Sequence, residues 1–221
     1  MPIRPALLVL AALAVSLPAA CGAAAQPVEG TNYRTISPAQ PSSNPAKIEV
    51  IEFFSYGCPH CAHFFPVVND WLKTLPKDVT FRRVPVGFER PPWVNLERTY
   101  YALQATGDLA RLDGALFNAI HEQHQQLFDE ESLGDWVGKN GGSAEKFAAA
   151  YVSFGVNNQT AQADKMASDY QITSIPTMVV DGKYAALGDS FPDIIANTNE
   201  LIAKVRAEHA AGAKGHAAKS P

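Results

Sequence analysis

The sequence predicts an α/β protein whose sheet domain is interrupted by an all-helical insertion. Strand patterns occur in the first part of the chain and again near its end, whereas residues 89–170 contain almost no strand signal. Hydrophobic residues make up 47% of the 221 residues, which is enough for a buried core. We therefore expect an α/β domain formed by residues 26–88 and 171–209, with a helical domain inserted at residues 89–170.

The first 25 residues have the pattern of a secretory signal peptide. Arg4 precedes an apolar run from Ala6 to Leu17, which is too short for a membrane span, and small residues ending at Ala25 follow it. Cys21 could accept a lipid, but Pro18 stands where the lipoprotein pattern requires Leu, Val or Ile. We therefore expect cleavage after Ala25, export of the mature protein, and no lipid anchor.

The mature chain is expected to be acidic. Loss of Arg4 leaves 17 of the 18 Lys and Arg against 22 Asp and Glu, so the formal net charge of −4 becomes −5. This balance indicates no nucleic-acid partner.

The first elements read as two strands, a helix and a third strand. A short strand is predicted at Tyr33–Ile36, and a buried central strand at Ile48–Tyr56, where the residues are apolar, β-branched and aromatic. Apolar residues at helical spacing follow Cys58, and Pro76 is a natural stop for that helix. Residues Asp78–Phe88 again read as a strand.

Glycines and a proline pair divide the helical block. Pro91-Pro92 starts a helix that Gly107 breaks. Four further helices are expected at residues 109–122, 132–139, 143–153 and 157–170.

The chain returns to the sheet with a predicted hairpin. Thr177–Val180 and Lys183–Ala185 flank Asp181-Gly182, which is a strong turn signal. A closing helix is expected at Phe191–His209. Residues 210–221 are rich in Ala, Gly, Lys and His and are predicted to form a disordered tail.

Two cysteines follow the buried strand directly, in the sequence Cys58-Pro59-His60-Cys61. A structural disulfide would close a very short loop and add little stability. Haem attachment requires a histidine directly after the second cysteine, where Ala62 stands, and a zinc site lacks a second ligand pair at a suitable spacing. We therefore expect redox catalysis, with neither a metal nor a cofactor.

The position of the motif supports that chemistry. If a helix begins at Cys58 with Pro59 in its first turn, the unpaired amides and the helix dipole stabilise a Cys58 thiolate and lower its pKa. Cys61 lies one turn further and deeper, where it can resolve a mixed disulfide, and His60 adds partial positive charge. A stable reduced form makes the disulfide a strong oxidant, so the motif favours donation of a disulfide.

Glu52 is an acidic residue inside the predicted buried strand, where a carboxylate is costly without a partner or a use. It could accept a proton or tune the electrostatics below Cys61. It could instead pair with Arg82 or Arg83 of the next strand, and the two interpretations are compatible.

These features together resemble the DsbA family of periplasmic thiol:disulfide oxidoreductases, which have a thioredoxin-like fold. The resemblance rests on the segment IEFFSYGCPHCAHF, on SIPT at residues 174–177, on the order of the elements and on the leader. It covers the mature chain except the tail after Ala210. The lysine that the family usually has near its buried acid is replaced here by Arg82 or Arg83.

The resemblance assigns roles to the candidate site residues. It implies that Cys58 is the nucleophile, that Cys61 is its buried partner and that the residues between them tune the redox potential, with Glu52 as the buried acid. In the substrate-binding loop it implies that Pro176 is a cis-proline facing the disulfide. It also implies that the neighbouring residues Ile175 and Thr177 contact extended peptides.

The resemblance also implies a function. The enzyme would donate its Cys58–Cys61 disulfide to reduced cysteine pairs of exported polypeptides in the periplasm. A quinone-linked inner-membrane oxidase of the DsbB type would regenerate the disulfide, and the protein would act as a monomer. A disulfide reductase or isomerase with the same site, and a non-catalytic exported binding or metal-holding protein, are the alternatives.

Overall fold

The structure, a computed structural model, describes residues 26–217. The predicted leader at residues 1–25, with its cleavage point and Cys21, lies outside the described residues. The last part of the predicted tail, residues 218–221, also lies outside them.

A five-stranded sheet forms the centre of the fold. Its strands are β1 (Tyr33–Thr35), β2 (Ile48–Phe54), β3 (Val79–Pro85), β4 (Thr177–Val180) and β5 (Tyr184–Ala186). They lie in the order β1-β5-β4-β2-β3, with β2 and β3 parallel and the other neighbours antiparallel. All seven residues of β2 are buried, which explains why five of them are apolar.

Seven helices accompany the sheet in the described part of the chain. Two of them follow strands of the sheet domain, α1 (Pro59–Leu72) after β2 and α7 (Phe191–Ala217) after β5. The other five lie between β3 and β4: α2 (Pro91–Thr106), α3 (Leu109–His121), α4 (Glu130–Lys139), α5 (Ala144–Tyr151) and α6 (Phe154–Asp169). The predicted fold class, an α/β sheet protein with an all-helical insertion, is confirmed.

The sheet has an apolar core on each face, because side chains alternate along the strands. Val50 of β2 packs on one side with residues of α1 and α7, such as Phe64 and Leu201. Phe53 packs on the other side with residues of the helical block, such as Leu96. No helix among the described residues is long and apolar enough to cross a membrane.

The closing helix is longer than the sequence predicts. It was expected to end at His209, with disorder from residue 210, but α7 continues to Ala217. The prediction required a packing surface for an ordered segment. Alanine favours a helix even without a packing surface, because it has the highest helix propensity of the amino acids. Ala210, Ala211 and Ala213 provide this propensity beyond His209.

The hairpin between β4 and β5 turns at Asp181 and Gly182, both of which have positive φ angles, 53° and 63°. The loop after β1 packs against this turn, where the Gln40 amide donates a hydrogen bond to the Gly182 carbonyl at 2.9 Å. A Cβ at Gly182 would collide with the Gln40 carbonyl oxygen. Glycine is therefore required here by both conformation and space.

We expect Gly182→Ala to lower the free energy of unfolding by about 2–3 kcal/mol, since it adds a backbone clash to left-handed strain. Gly107→Ala is the matched control, because Gly107 has φ 79° with nothing within 4 Å of the added Cβ. That variant should lose only about 1 kcal/mol. Urea unfolding measures both, and equal losses would show that the contact with Gln40 does not matter.

Candidate active site

The two cysteines lie at the start of α1, where the chain leaves the central strand. Cys58 is the N-cap residue, Pro59 is the first helical residue, and the Cys61 amide donates a hydrogen bond to Cys58 Sγ at 3.4 Å. Both cysteines are free thiols in this structure, with exposures of 5% for Cys58 and 0% for Cys61. The side chain of His60 is exposed beside them.

These surroundings lower the pKa of Cys58 to about 6. The largest cause is the hydrogen bond from the Cys61 thiol, which stabilises a thiolate at Cys58. The backbone N–H groups of Cys61 and His60 and the charge of the His60 ring act in the same direction, while burial opposes them. Cys58 is therefore mostly ionised at neutral pH.

The same geometry has the opposite effect on Cys61. Burial is the main cause that raises its pKa, and the hydrogen bond to Cys58 and the charges of Cys58 and Glu52 raise it further. Cys61 therefore holds its proton when Cys58 has lost its own. The pair consists of one ionised, partly accessible sulfur and one protonated, buried sulfur.

The loop before β4 lies against Cys58. The Ile175–Pro176 peptide bond is cis. Cys58 Sγ lies 3.8 Å from the Ile175 carbonyl oxygen, and the sulfur can donate a weak hydrogen bond to it only while it is protonated. Thr177 begins β4, and its hydroxyl donates to the Ser174 carbonyl at 2.7 Å, so this side chain stabilises the loop itself.

An open cavity of about 440 Å³ lies beside this loop. Its apolar lining comes from the cis-proline loop and from the start of α7, and His60 forms part of its wall. The lining residues are His60, Ile175, Pro176, Gly188, Asp189, Ser190, Phe191, Pro192 and Ile194.

A buried ionic network lies below the cysteines. Arg83 Nε donates to Glu52 Oε2 at 2.6 Å, and Arg83 Nη1 donates to Asp113 Oδ2 at 2.8 Å. The side chains of Glu52, Arg83 and Asp113 are only 2%, 7% and 16% exposed. The Tyr56 hydroxyl donates to Asp113 Oδ1 at 2.7 Å.

The structure decides between the two arginines that the sequence left open. Glu52 lies opposite Arg83 in the register of β2 and β3, and Arg83 is its partner. Arg82 pairs instead with Glu49 at 2.9 Å, and its guanidinium lies 3.5 Å from the sulfur of Met166 in the helical block. Consecutive side chains of a strand point to opposite faces, which separates the two pairs.

Two carboxylates share one guanidinium in this network. Burial is the largest cause that raises the pKa of Glu52; Arg83 opposes this effect and the charge of Asp113 adds to it. Burial likewise raises the pKa of Asp113, against the hydrogen bonds from Tyr56 and Arg83. The buried group as a whole therefore binds a proton more readily than a simple ion pair would.

Sequence reasoning missed Asp113 because it is distant from the cysteines and lies in the helical block. A signal was present, since Leu109, Asp113 and Phe117 are spaced by one helical turn, which places an acid within an apolar stripe. This is the same kind of anomaly that pointed to Glu52.

No group of three or more His, Cys, Asp or Glu suited to a metal ion occurs among residues 26–217. The ring of His121 at the end of α3 has Nε2 at 2.7 Å from the Tyr56 carbonyl oxygen.

Comparison with known proteins agrees with this geometry. A family profile described as a DSBA-like thioredoxin domain matches residues 49–198. The thiol:disulfide interchange protein DsbA of Burkholderia cepacia is 38% identical over 198 residues, which are 87% of this chain and 92% of the relative. The protein of the same name from Pseudomonas aeruginosa is 41% identical over 155 residues, 70% of this chain and 73% of the relative.

Solved structures give the same result. The DsbA oxidoreductase of Xylella fastidiosa matches with a TM-score of 0.79 at 32% identity, over 83% of this chain and 100% of that one. DsbA of Pseudomonas aeruginosa matches with a TM-score of 0.77 at 37% identity, over 81% and 95%. The range 49–198 matched by the family profile includes both cysteines and the cis-proline loop.

Proposed function

The chain belongs to the DSBA-like thioredoxin family and is a thiol:disulfide oxidoreductase, and from this premise we propose that it donates its Cys58–Cys61 disulfide to reduced cysteine pairs of exported proteins. One observation supports this direction of transfer above all. The thiolate of Cys58 is stabilised, with a pKa of about 6, while Cys61 is buried and protonated. Stabilising the reduced form makes the disulfide easier to give away.

The reaction proceeds in two exchanges. A substrate thiolate attacks Cys58 Sγ of the disulfide, the Cys58–Cys61 bond breaks, and Cys61 leaves with the electron pair and takes up a proton. A second substrate thiolate then attacks the substrate sulfur of the mixed disulfide and releases Cys58 as a thiolate. Two electrons pass from the substrate to the enzyme, and the low pKa of Cys58 makes it a good leaving group.

Substrate peptides bind along the cis-proline loop. Ile175 is half-buried and its carbonyl oxygen lies next to Cys58, so an extended peptide that pairs with this backbone would bring a cysteine to the Cys58 sulfur. The cavity of about 440 Å³ beside this loop offers room for an apolar side chain next to that cysteine. Pro176 and Ile175 form its near wall, and Thr177 holds the loop in place through Ser174.

The leader pattern and the periplasmic location of the family support a reaction in the periplasm. The partners are then exported polypeptides that still carry reduced cysteines, and a DsbB-type quinone-linked oxidase of the inner membrane that removes the two electrons. The enzyme works as a monomer, since one chain contains both cysteines and the peptide-binding loop.

Titration of the reduced protein tests the proposal. We expect the thiolate absorbance of Cys58 to appear with an apparent pKa of about 6, and the disulfide to oxidise glutathione readily at equilibrium. Because this pKa lies below the usual 9.0, the reduced form should gain stability as the pH rises from about 6 to about 9 and lose it as the pH falls through 6. The oxidised form has no Cys58 thiol and should lack this dependence.

The alternatives give different results in the same measurements. A reductase would have a disulfide that glutathione reduces only with difficulty, and an isomerase would exchange mispaired disulfides faster than it oxidises dithiols. A binding protein would tolerate Cys58→Ser without loss of function. A Cys58 thiol that titrates near 9 would contradict the proposed oxidase.

A further inference from the structure

The ionic network below the cysteines joins the two parts of the fold. Glu52 and Arg83 come from adjacent central strands, whereas Asp113 comes from α3 in the helical block. The guanidinium of Arg83 lies between the two carboxylates, at 2.6 Å from one and 2.8 Å from the other. The Phe65 ring covers it at 4.4 Å, so little solvent reaches the group.

The balance between carboxylates and the single guanidinium of Arg83 determines whether Glu52 can bind a proton. Arginine does not lose its proton in proteins, so a one-to-one pair with Arg83 would hold Glu52 ionised. A second carboxylate on the same guanidinium offsets that effect, because two acids and one base leave an excess negative charge in a buried place. One proton then binds to the acid pair at a higher pH than it would to Glu52 alone.

We propose that Asp113 is a positioning residue for the reaction: by sharing Arg83 with Glu52, it leaves Glu52 able to give a proton to Cys61 and to take it back. This inference rests on the proposed function, since it concerns the proton that accompanies opening and closing of the Cys58–Cys61 disulfide. Asp113 acts only through Arg83 and Glu52.

The proton balance is as follows. When a substrate thiolate opens the disulfide, Cys61 leaves as a thiolate and receives a proton from the Glu52 carboxyl, which becomes a carboxylate paired with Arg83. When the regenerating quinone-linked oxidase has formed a mixed disulfide with Cys58, the Cys61 thiol returns the proton to Glu52 and its sulfur attacks Cys58 Sγ. The bond from Cys58 to the oxidase breaks, and the oxidase sulfur leaves as a thiolate with the electron pair. The charge of Glu52 is among the causes that raise the pKa of the Cys61 thiol, so the two groups lie close enough to interact.

The groups that face the Glu52 carboxyl come from several elements. Arg83 of β3 contacts the Glu52 carboxyl directly and links it to Asp113 of α3, and Tyr56 is hydrogen-bonded to Asp113. Tyr100 of α2 interacts with both acids, and Cys61 of α1 lies on the side of the active site.

Asp113→Asn tests the inference. It should slow the oxidation of a reduced dithiol peptide about tenfold near neutral pH, a part of the roughly 10²–10⁴-fold that acid–base groups contribute. The rate should fall at high pH, where Glu52 has lost the proton that it gives to Cys61. In Asp113→Asn this fall should occur at a lower pH, because Arg83 then interacts with Glu52 alone and stabilises its carboxylate. Stopped-flow rates from about pH 5 to about pH 9 measure both effects, and Asp113→Glu should restore most of the rate.

A double variant separates this role from a structural one. In a Glu52→Gln background the carboxyl group through which Asp113 acts is gone. Adding Asp113→Asn to this background should therefore change neither the rate nor its pH profile. If Asp113→Asn slows the reaction equally in both backgrounds, Asp113 acts on the fold and the inference is overturned. Glu97→Gln is the matched control, since Glu97 is another buried acid, 1% exposed, with no contact to Arg83 among the described hydrogen bonds and ion pairs.

Infrared difference spectra of the unmodified protein provide a measurement that does not depend on folding of a variant. The oxidised protein should show a protonated carboxyl band near neutral pH that disappears on reduction, is absent from Glu52→Gln and persists in Glu97→Gln. No redox-dependent carboxyl band would overturn the inference. Failure of the proposed function is a different result, in which the wild-type disulfide does not oxidise the dithiol peptide.

Discussion

Replacement of Cys58 by alanine is expected to abolish dithiol oxidation, with a loss of at least about 10³-fold. The remaining thiol cannot take over the reaction, because Cys61 is fully buried and the pKa of its thiol is raised. Cys61→Ser should behave differently, since Cys58 keeps its partly accessible sulfur but loses the partner that resolves a mixed disulfide. This variant should accumulate a covalent adduct with a substrate peptide.

The two variants are compared with a single peptide that contains one reactive disulfide. Mass spectrometry should find the mixed disulfide with Cys61→Ser and none with Cys58→Ala, and thermal unfolding should show that both variants are folded. The assignment of the nucleophile would be wrong if Cys58→Ala formed the adduct and Cys61→Ser did not.

Replacement of Arg83 by methionine is expected to lower the free energy of unfolding by about 3–5 kcal/mol. The change leaves two buried carboxylates, Glu52 and Asp113, without their shared cation. The loss should become smaller at acidic pH. Both acids have raised pKa values in the folded protein and take up protons there, so their contribution to stability is present at low pH and is lost as the pH rises.

The neighbouring arginine supplies a matched control for this prediction. Arg82→Met removes a side chain that is 36% exposed, and Glu49 keeps its hydrogen bond to Ser43, so about 1–2 kcal/mol should be lost. A triple variant with Arg83→Met, Glu52→Gln and Asp113→Asn should recover most of the stability, because all three charges of the network are then removed together. Equal losses for Arg82→Met and Arg83→Met in urea unfolding would contradict the importance of burial here.

The local features of the site could be predicted from the sequence because each depends on neighbouring residues. The helix begins next to Cys58 because proline tolerates the first helical turn, and that start gives the two sulfurs different surroundings. The Asp181-Gly182 turn followed from the backbone freedom of its residues. Glu52 was recognised as unusual because it is an acid within a strand that is mostly apolar and entirely buried.

Other features depend on contacts between distant segments. The choice of Arg83 over Arg82 follows from the pairing register of β2 and β3, which local patterns do not fix. The extent of α7 also differed from expectation, since alanine propensity extended the helix where no packing was foreseen.

The sequence by itself determined the fold class, the order of its elements and the pair of cysteines at a helix start, because hydrophobic periodicity and turn chemistry act over a few residues. Only the tertiary structure decided that Asp113 of the helical block reaches the same guanidinium as Glu52. A buried charge is defined by all the elements that enclose it. The protonation of the site therefore depends on how the insertion packs against the sheet, and no short stretch of the chain contains that information.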